Sequence, residues 1–265
     1  MDVLKPYKNR NKLRVFMRRM FKKHFIRLIS AKNSIFGSMD YKKFVVITHS
    51  RTGSNLLISL LNDHPCIEAY GEIFRRLNKS SCKKIWHNTF NKKSKSIEYA
   101  GFKLFYYHPL DRDDLEVWSF IERDTSIKII YLRRQNMLRS FVSRKIAEKT
   151  NSWRLKNSDS GLKVADKKVD LSFEECLEEF EQIRLWQDRT MQTYRFHESI
   201  QLTYEELVNH RDDVLNRVFE FLNVPVVPVK SKYKKQNQEN LSDLIANYDE
   251  IYNSLSQTKW NSFLK

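Results

Sequence analysis

The chain has 265 residues, of which 41% are hydrophobic, enough to bury the core of one α/β domain of roughly 200–250 residues. Its formal net charge is +16, yet residues 1–38 hold eleven Lys/Arg against one Asp, so the body from residue 39 onward carries only +6. That balance argues against a nucleic-acid-binding body and suits a small, highly anionic ligand, while three cysteines (Cys66, Cys82, Cys176) without C-x-x-C spacing indicate neither a disulfide framework nor a zinc site.

Two regions are expected, a basic extension over 1–38 and one domain over 39–265. In the extension, Leu13, Phe16, Met17, Met20, Phe21, Phe25, Leu28 and Ile29 follow one helical stripe, with Arg14, Arg18, Arg19, Lys22, Lys23 and Arg27 mostly away from it. Such a helix over 11–30 packs on its own domain, lies on an anionic membrane surface or docks on a partner. No run approaches about 18 uninterrupted apolar residues, and the N-terminus lacks the apolar core of a signal peptide.

Residues 43–62, KFVVITHSRTGSNLLISLLN, pass from β-branched and aromatic residues through a short polar turn into leucines at helical spacing, a strand, loop and helix. Gly53 permits a tight turn. The first amides of the helix, around Gly53, Ser54 and Asn55, then point outward with the positive end of the helix dipole behind them, which is a site for phosphate or sulfate. Arg51 adds a cation, and Ser50, Thr52 and Ser54 add hydroxyls. An ATP-kinase loop needs a first glycine and a lysine that this loop lacks.

THSRTGSNLL resembles the 5′-phosphosulfate loop of sulfotransferases that use 3′-phosphoadenosine 5′-phosphosulfate (PAPS). The pattern is nearest to bacterial carbohydrate sulfotransferases such as those that modify trehalose or nodulation factors. The resemblance implies an α/β fold of three layers, a parallel sheet with helices on both faces on the plan of nucleotide kinases. It also implies sulfonate transfer from PAPS to a hydroxyl, without a metal. Because Golgi sulfotransferases carry an N-terminal membrane anchor, its absence here implies a cytoplasmic enzyme, with 11–30 as a peripheral membrane contact.

After the loop, residues 64–76 read as a short strand ending near Gly71-Glu72. The resemblance places an acceptor-deprotonating carboxylate at Glu72; the plain alternative is an ion pair to Arg75 or Arg76. Residues 77–98 are lysine-rich and read as a solvated insertion. The strand AGFKLFYY (100–107) has Lys103 near its middle and is followed by His108, a second candidate base or simply a capping residue. A scaffold helix is expected over 111–123 with Asp111 as its cap.

Residues 126–149 form the second strand-to-helix unit, a buried strand ending in Arg133-Arg134 and a helix with Leu138, Phe141, Val142 and Ile146 on its apolar face. Arginines at the carboxyl end of a strand face the ligand crevice of an open α/β sheet and suit a terminal phosphate. In the family resembled, an arginine after the strand and a serine in the helix grip the 3′-phosphate of the nucleotide. Arg133 or Arg134 and Ser143, with Ser140 as the fallback, stand in those places here.

Residues 150–171 read as a loop over the site, with Trp153 and Arg154 as lid residues. A long scaffold helix opens at Ser172. IQLTYEEL (200–207) resembles the family's Y-E-D-L element, with Tyr204 and Glu205 structural and Glu206 in place of the aspartate; helices are expected over 212–222 and 240–255. The acceptor implied is a glycan or glycolipid, and no nucleic acid is expected. A kinase-like NTPase and a non-catalytic membrane- or nucleic-acid-binding protein are the competing readings.

Overall fold

The computed structural model describes residues 33 to 264 except 34, 114, 156–158 and 234–235. The basic stretch 11–30 lies outside the described residues, as does nearly all of the 1–38 extension.

The Phe44–Ile47 run, in the middle of β1 (Lys42–Thr48), is fully buried because both faces of the strand are covered there. Its neighbours are β3 (Tyr99–Phe105) on one side and β4 (Lys128–Arg133) on the other. Outside these lie β2 (Ile67–Tyr70) and β5 (Ser199–Thr203), giving a five-stranded, all-parallel sheet in the order β2-β3-β1-β4-β5. From β1 the chain passes to the edge strand β2, returns to β3 beside β1, and then crosses to β4 and β5 on the other side. The crevice above the carboxyl ends of β1 and β4 is therefore a topological switch point, where ligands of open α/β sheets bind.

Side-chain alternation splits the core into layers. Phe44 and Val46 pack with Leu57, Leu60 and Leu61 of α1 (Ser54–Leu61), whereas Val45 and Ile47 pack on the opposite face with Phe102, Leu104, Val117 and Ile121. Helices thus cover both faces, the three-layer plan expected. A third cluster lies outside the sheet, between α4 (Met137–Thr150), α6 (Phe173–Thr193) and the C-terminal helices.

Three expectations need correction. Residues 77–98 are not merely a solvated insertion, for they contain α2 (Cys82–Thr89), capped by Ser81, whose side chain accepts from the Lys84 amide. Cys82 and Phe90 sink into the core while Lys83 and Lys84 face solvent, so the lysines hid an apolar face. Asp111 caps no helix: α3 (Glu116–Arg123) starts later, and the Asp111 carboxylate accepts from the amides of Leu77 and Asn78, 2.9 and 3.0 Å away. The helix expected over 240–255 is two, α9 (Leu241–Leu244) and α10 (Tyr248–Ser256), because Val169 exchanges backbone hydrogen bonds with Leu244 and Ala246 and pulls Ile245 into a bridge. Further helices are the short α5 (Val164–Lys167) and α7 (Tyr204–Asn209) and the longer α8 (Arg211–Phe221). Among the described residues no helix is long and apolar enough to cross a membrane.

Candidate active site

The loop between β1 and α1 holds two left-handed residues, Arg51 at φ 65° and Gly53 at φ 77°. Glycine is required at the second on packing grounds as well, since a Cβ there would lie 2.5 Å from Cδ2 of Tyr204 on α7. Thr48 donates to the Leu132 carbonyl at 2.6 Å, which ties the loop to β4. The Thr52 hydroxyl, expected to face a ligand, is fully buried and donates to the His49 carbonyl at 3.0 Å, so it shapes the loop rather than facing a ligand.

Of the two arginines that end β4, only Arg134 faces this loop. Its guanidinium stacks 4.5 Å over the Tyr204 ring and donates from Nη1 to the Arg51 carbonyl at 3.0 Å, while its buried Nε has no protein partner. Arg133 points to the opposite side of the sheet, against Met191 of α6, because successive residues at a strand end project to opposite faces. Arg133 therefore does not face the loop, contrary to expectation.

Ser143 on α4 accepts from Arg51 Nε at 2.8 Å and from Asn237 Nδ2 at 3.0 Å. Ser140, one turn earlier, instead bonds His49 Nε2 at 3.2 Å and the Ser50 carbonyl at 3.3 Å, behind the loop. Arg51 also donates to the Trp153 carbonyl and to Gln236, each at 2.8 Å, so one guanidinium joins the loop to α4, the 150–171 segment and the C-terminal region. Burial and the neighbouring Arg134 bring its pKa down to about 10, and it stays charged at neutral pH.

Glu72 follows β2 and sits 3.0 Å from Lys103 Nζ and 3.8 Å from Arg75 Nε. Burial pushes its carboxyl up, but Lys103, aided by His108 and Arg75, more than offsets this and leaves it below the usual glutamate value, hence ionised. Lys103 was not singled out in the sequence. It is fully buried on β3, within 2.9 Å of Asn55 Oδ1 and 3.3 Å of Ser54 Oγ at the start of α1. The signal was present as a lysine inside an otherwise apolar central strand, which demands a partner.

His108 is buried, and burial lowers its pKa to about 4, so the ring is neutral. Its Nδ1 accepts from the Phe105 amide at 3.3 Å, which places the ring proton on the otherwise unpartnered Nε2. In that tautomer Nε2 of His108 is a hydrogen-bond donor.

Two cavities meet at this junction. The first, of about 370 Å³, is lined by Glu72, His108, Tyr107, Arg144 and Trp186 among others. The second is lined by Gly53, Arg134, Ser143, Tyr204 and Tyr233, with no carboxylate among its described lining residues. Arg51, Ser54, Asn55, Trp153 and Arg154 border both. Trp153 and Arg154 thus stand at the junction where lid residues were expected. Glu205, by contrast, is structural, accepting from the amides of Gln135 and Asn136, and Glu206 closes a capping box with Thr203. No cluster of three or more His, Cys, Asp or Glu is placed to hold a metal ion among the described residues.

No family model matches the chain. It is 26% identical over 215 residues to nodulation protein H of Rhizobium tropici, covering 75% of this chain and 82% of that protein. To nodulation protein H of Rhizobium meliloti (strain 1021) it is 22% identical over 227 residues, covering 78% and 89%. Similar solved structures include a sulfotransferase from Alicyclobacillus acidocaldarius, with a TM-score of 0.48, 13% identity and coverage of 81% of this chain and 94% of that one. A mouse sulfotransferase complexed with PAP gives a TM-score of 0.42 at 13% identity, covering 74% and 63%.

Proposed function

We infer that the chain is a PAPS-dependent sulfotransferase that moves a sulfonate group from the nucleotide to a hydroxyl acceptor. The observation that carries this reading is the pair of joined cavities, one rich in arginine and without a described carboxylate, the other containing an ionised carboxylate, with Arg51, Ser54 and Asn55 between them. A doubly anionic donor suits the carboxylate-free cavity and the Arg51 junction, and a hydroxyl that must lose a proton suits the cavity that holds Glu72. The buried, unpartnered Nε of Arg134 is a donor suited to such an anion.

In the reaction, Glu72 takes the proton of the acceptor hydroxyl as its oxygen attacks sulfur, and the bond from sulfur to the bridging phosphate oxygen breaks. The products are a sulfate ester and 3′,5′-ADP. Arg51, the Ser54 and Asn55 amides and the Lys103 ammonium stabilise the negative charge that grows on the bridging oxygen. Arg134 and Ser143 hold the 3′-phosphate, and His108 donates from Nε2 to an oxygen in the acceptor cavity. Thr52 keeps the loop in shape.

The acceptor is a glycan or glycolipid, a reading supported by the likeness of THSRTGSNLL to the loop of bacterial carbohydrate sulfotransferases. The basic stripe over 11–30 supports contact between the 1–38 extension and an anionic membrane surface, with the 39–265 domain on the cytoplasmic side as our reading. Co-sedimentation with anionic vesicles, with and without residues 1–38, tests that contact.

The central test is calorimetric titration of 3′,5′-ADP and of ATP without magnesium, followed by transfer of radiolabelled sulfonate from PAPS to a panel of glycans and lipids. Binding of 3′,5′-ADP in preference to ATP, with label in a glycan, supports the reading. Preference for ATP overturns it in favour of a kinase-like enzyme. Binding of neither nucleotide overturns it in favour of a non-catalytic protein.

A further inference from the structure

The wall of the acceptor cavity away from the loop is built from parts that the reaction above does not use. Trp186 of α6 and Tyr107 after β3 place their rings 5.6 Å apart, inclined at 51°. Trp186 is backed by Tyr106, whose ring stacks at 6.1 Å and 21°. Beside them Arg144 of α4 is shared between two carboxylates, Glu179 at 2.8 Å and Glu148 at 3.2 Å. Glu179 and Trp186 are seven residues apart, hence on one face of α6, and Arg144 and Glu148 are one turn apart on α4. Apart from Tyr106, these side chains line the cavity that contains Glu72.

We propose that Trp186 and Tyr107 form the platform for an uncharged sugar ring whose hydroxyls are read by the Glu148, Arg144 and Glu179 triad, so that these residues set acceptor choice. A pyranose has an apolar C–H face that packs on aromatic rings and an edge of hydroxyls that donate to carboxylates and accept from a guanidinium. The triad holds two carboxylates against one guanidinium, so its charge balance opposes a uronate or an already sulfated ring. The cations Arg51 and Arg154 belong to the junction with the donor cavity, and Arg75 stands beside Glu72. The triad therefore faces the acceptor with its excess carboxylate intact.

The proposal rests on the transferase reading, and the two fail separately. With the full chain, 3′,5′-ADP affinity is measured first, then acceptor KM and kcat on neutral oligosaccharides, uronic-acid oligosaccharides and a simple aliphatic alcohol. Wild type should favour the neutral sugars. Trp186→Ala should raise their KM by about tenfold with 3′,5′-ADP affinity unchanged, and Trp186→Phe should recover most of the loss. Glu179→Gln, a change at a partly exposed surface, should raise KM for neutral sugars by about tenfold and narrow the gap to uronic-acid acceptors. If Trp186→Ala does not fold, as judged by lost 3′,5′-ADP binding, Trp186→Phe and Glu179→Gln decide. The proposal is overturned if wild type prefers uronic-acid sugars or the alcohol, or if folded variants keep the wild-type KM and ranking. Failure of wild type to bind 3′,5′-ADP sinks the transferase reading instead.

Discussion

The ammonium of Lys103 on β3 lies 3.0 Å from the carboxylate of Glu72, in the loop after β2. Neither group belongs in that half-buried crevice alone, and each keeps the other charged. Glu72→Gln should therefore lower kcat by about 10²- to 10⁴-fold, the usual range for losing a general base, with 3′,5′-ADP binding retained. Lys103→Met removes the main influence holding the Glu72 carboxyl down, and burial then pushes it up. The acid limb of kcat/KM, set by a carboxyl held below the usual glutamate value, should move to higher pH in this variant. An unmoved limb in Lys103→Met would show that Glu72 is not the titrating base.

Gly53→Ala places a Cβ 2.5 Å from the Tyr204 ring at a residue with φ 77°. Left-handed strain and the clash together should destabilise the fold by about 2 kcal/mol or more and displace the ring on which Arg134 stacks. Chemical denaturation and 3′,5′-ADP titration measure both effects. A variant with wild-type stability and affinity would contradict the close packing of loop on α7.

Arg134 and Arg133 separate cleanly by experiment. Arg134→Ala should weaken 3′,5′-ADP binding by about 100-fold, the scale of a lost charge-assisted pair in a partly desolvated site. Arg133→Ala, on the other face of the sheet against α6, should change that affinity only a few-fold. The reverse ranking, measured by calorimetry, would show that the arginines have been assigned to the wrong faces.

Two buried histidines make stability depend on pH. Burial, with Arg134 and Arg144 nearby, lowers the pKa of His49 to about 3, and burial together with Lys103 and Arg75 lowers that of His108 to about 4 despite Glu72. Both are depressed below the unfolded value of 6.5, so the unfolded chain binds more protons. The contribution is whole above pH 6.5 and is lost as pH falls toward the folded values. Between pH 6.5 and 5 each histidine should cost about 2 kcal/mol of unfolding free energy, and His49→Asn should flatten that slope in urea titrations at the two pH values. A wild type equally stable at both would show that these rings are not held neutral.

Much of the site was legible in local pattern. The turn at Gly53, the helix after it and the strand ending in two arginines depend on residues within a few positions of one another, and the structure places all three at one crevice. Where the reading failed, a distant partner had intervened. Asp111 was drawn to the amides of Leu77 and Asn78, Val169 interrupted the C-terminal helix, and the lysines of 77–98 concealed the apolar face of α2.

The sequence by itself determined that β1 and β4 each run into a turn and a helix, with Gly53 after the one and two arginines at the end of the other, because such local signals act through immediate neighbours. Only the tertiary structure decided that Arg134 and not Arg133 looks into the crevice, that Lys103 meets Glu72, and that Trp186 of a scaffold helix walls the cavity that holds Glu72. The reason is geometric. Alternation along a strand gives two faces, but which face turns toward which helix is set by the order in which strands lie side by side, a property of the packed sheet that no single segment contains.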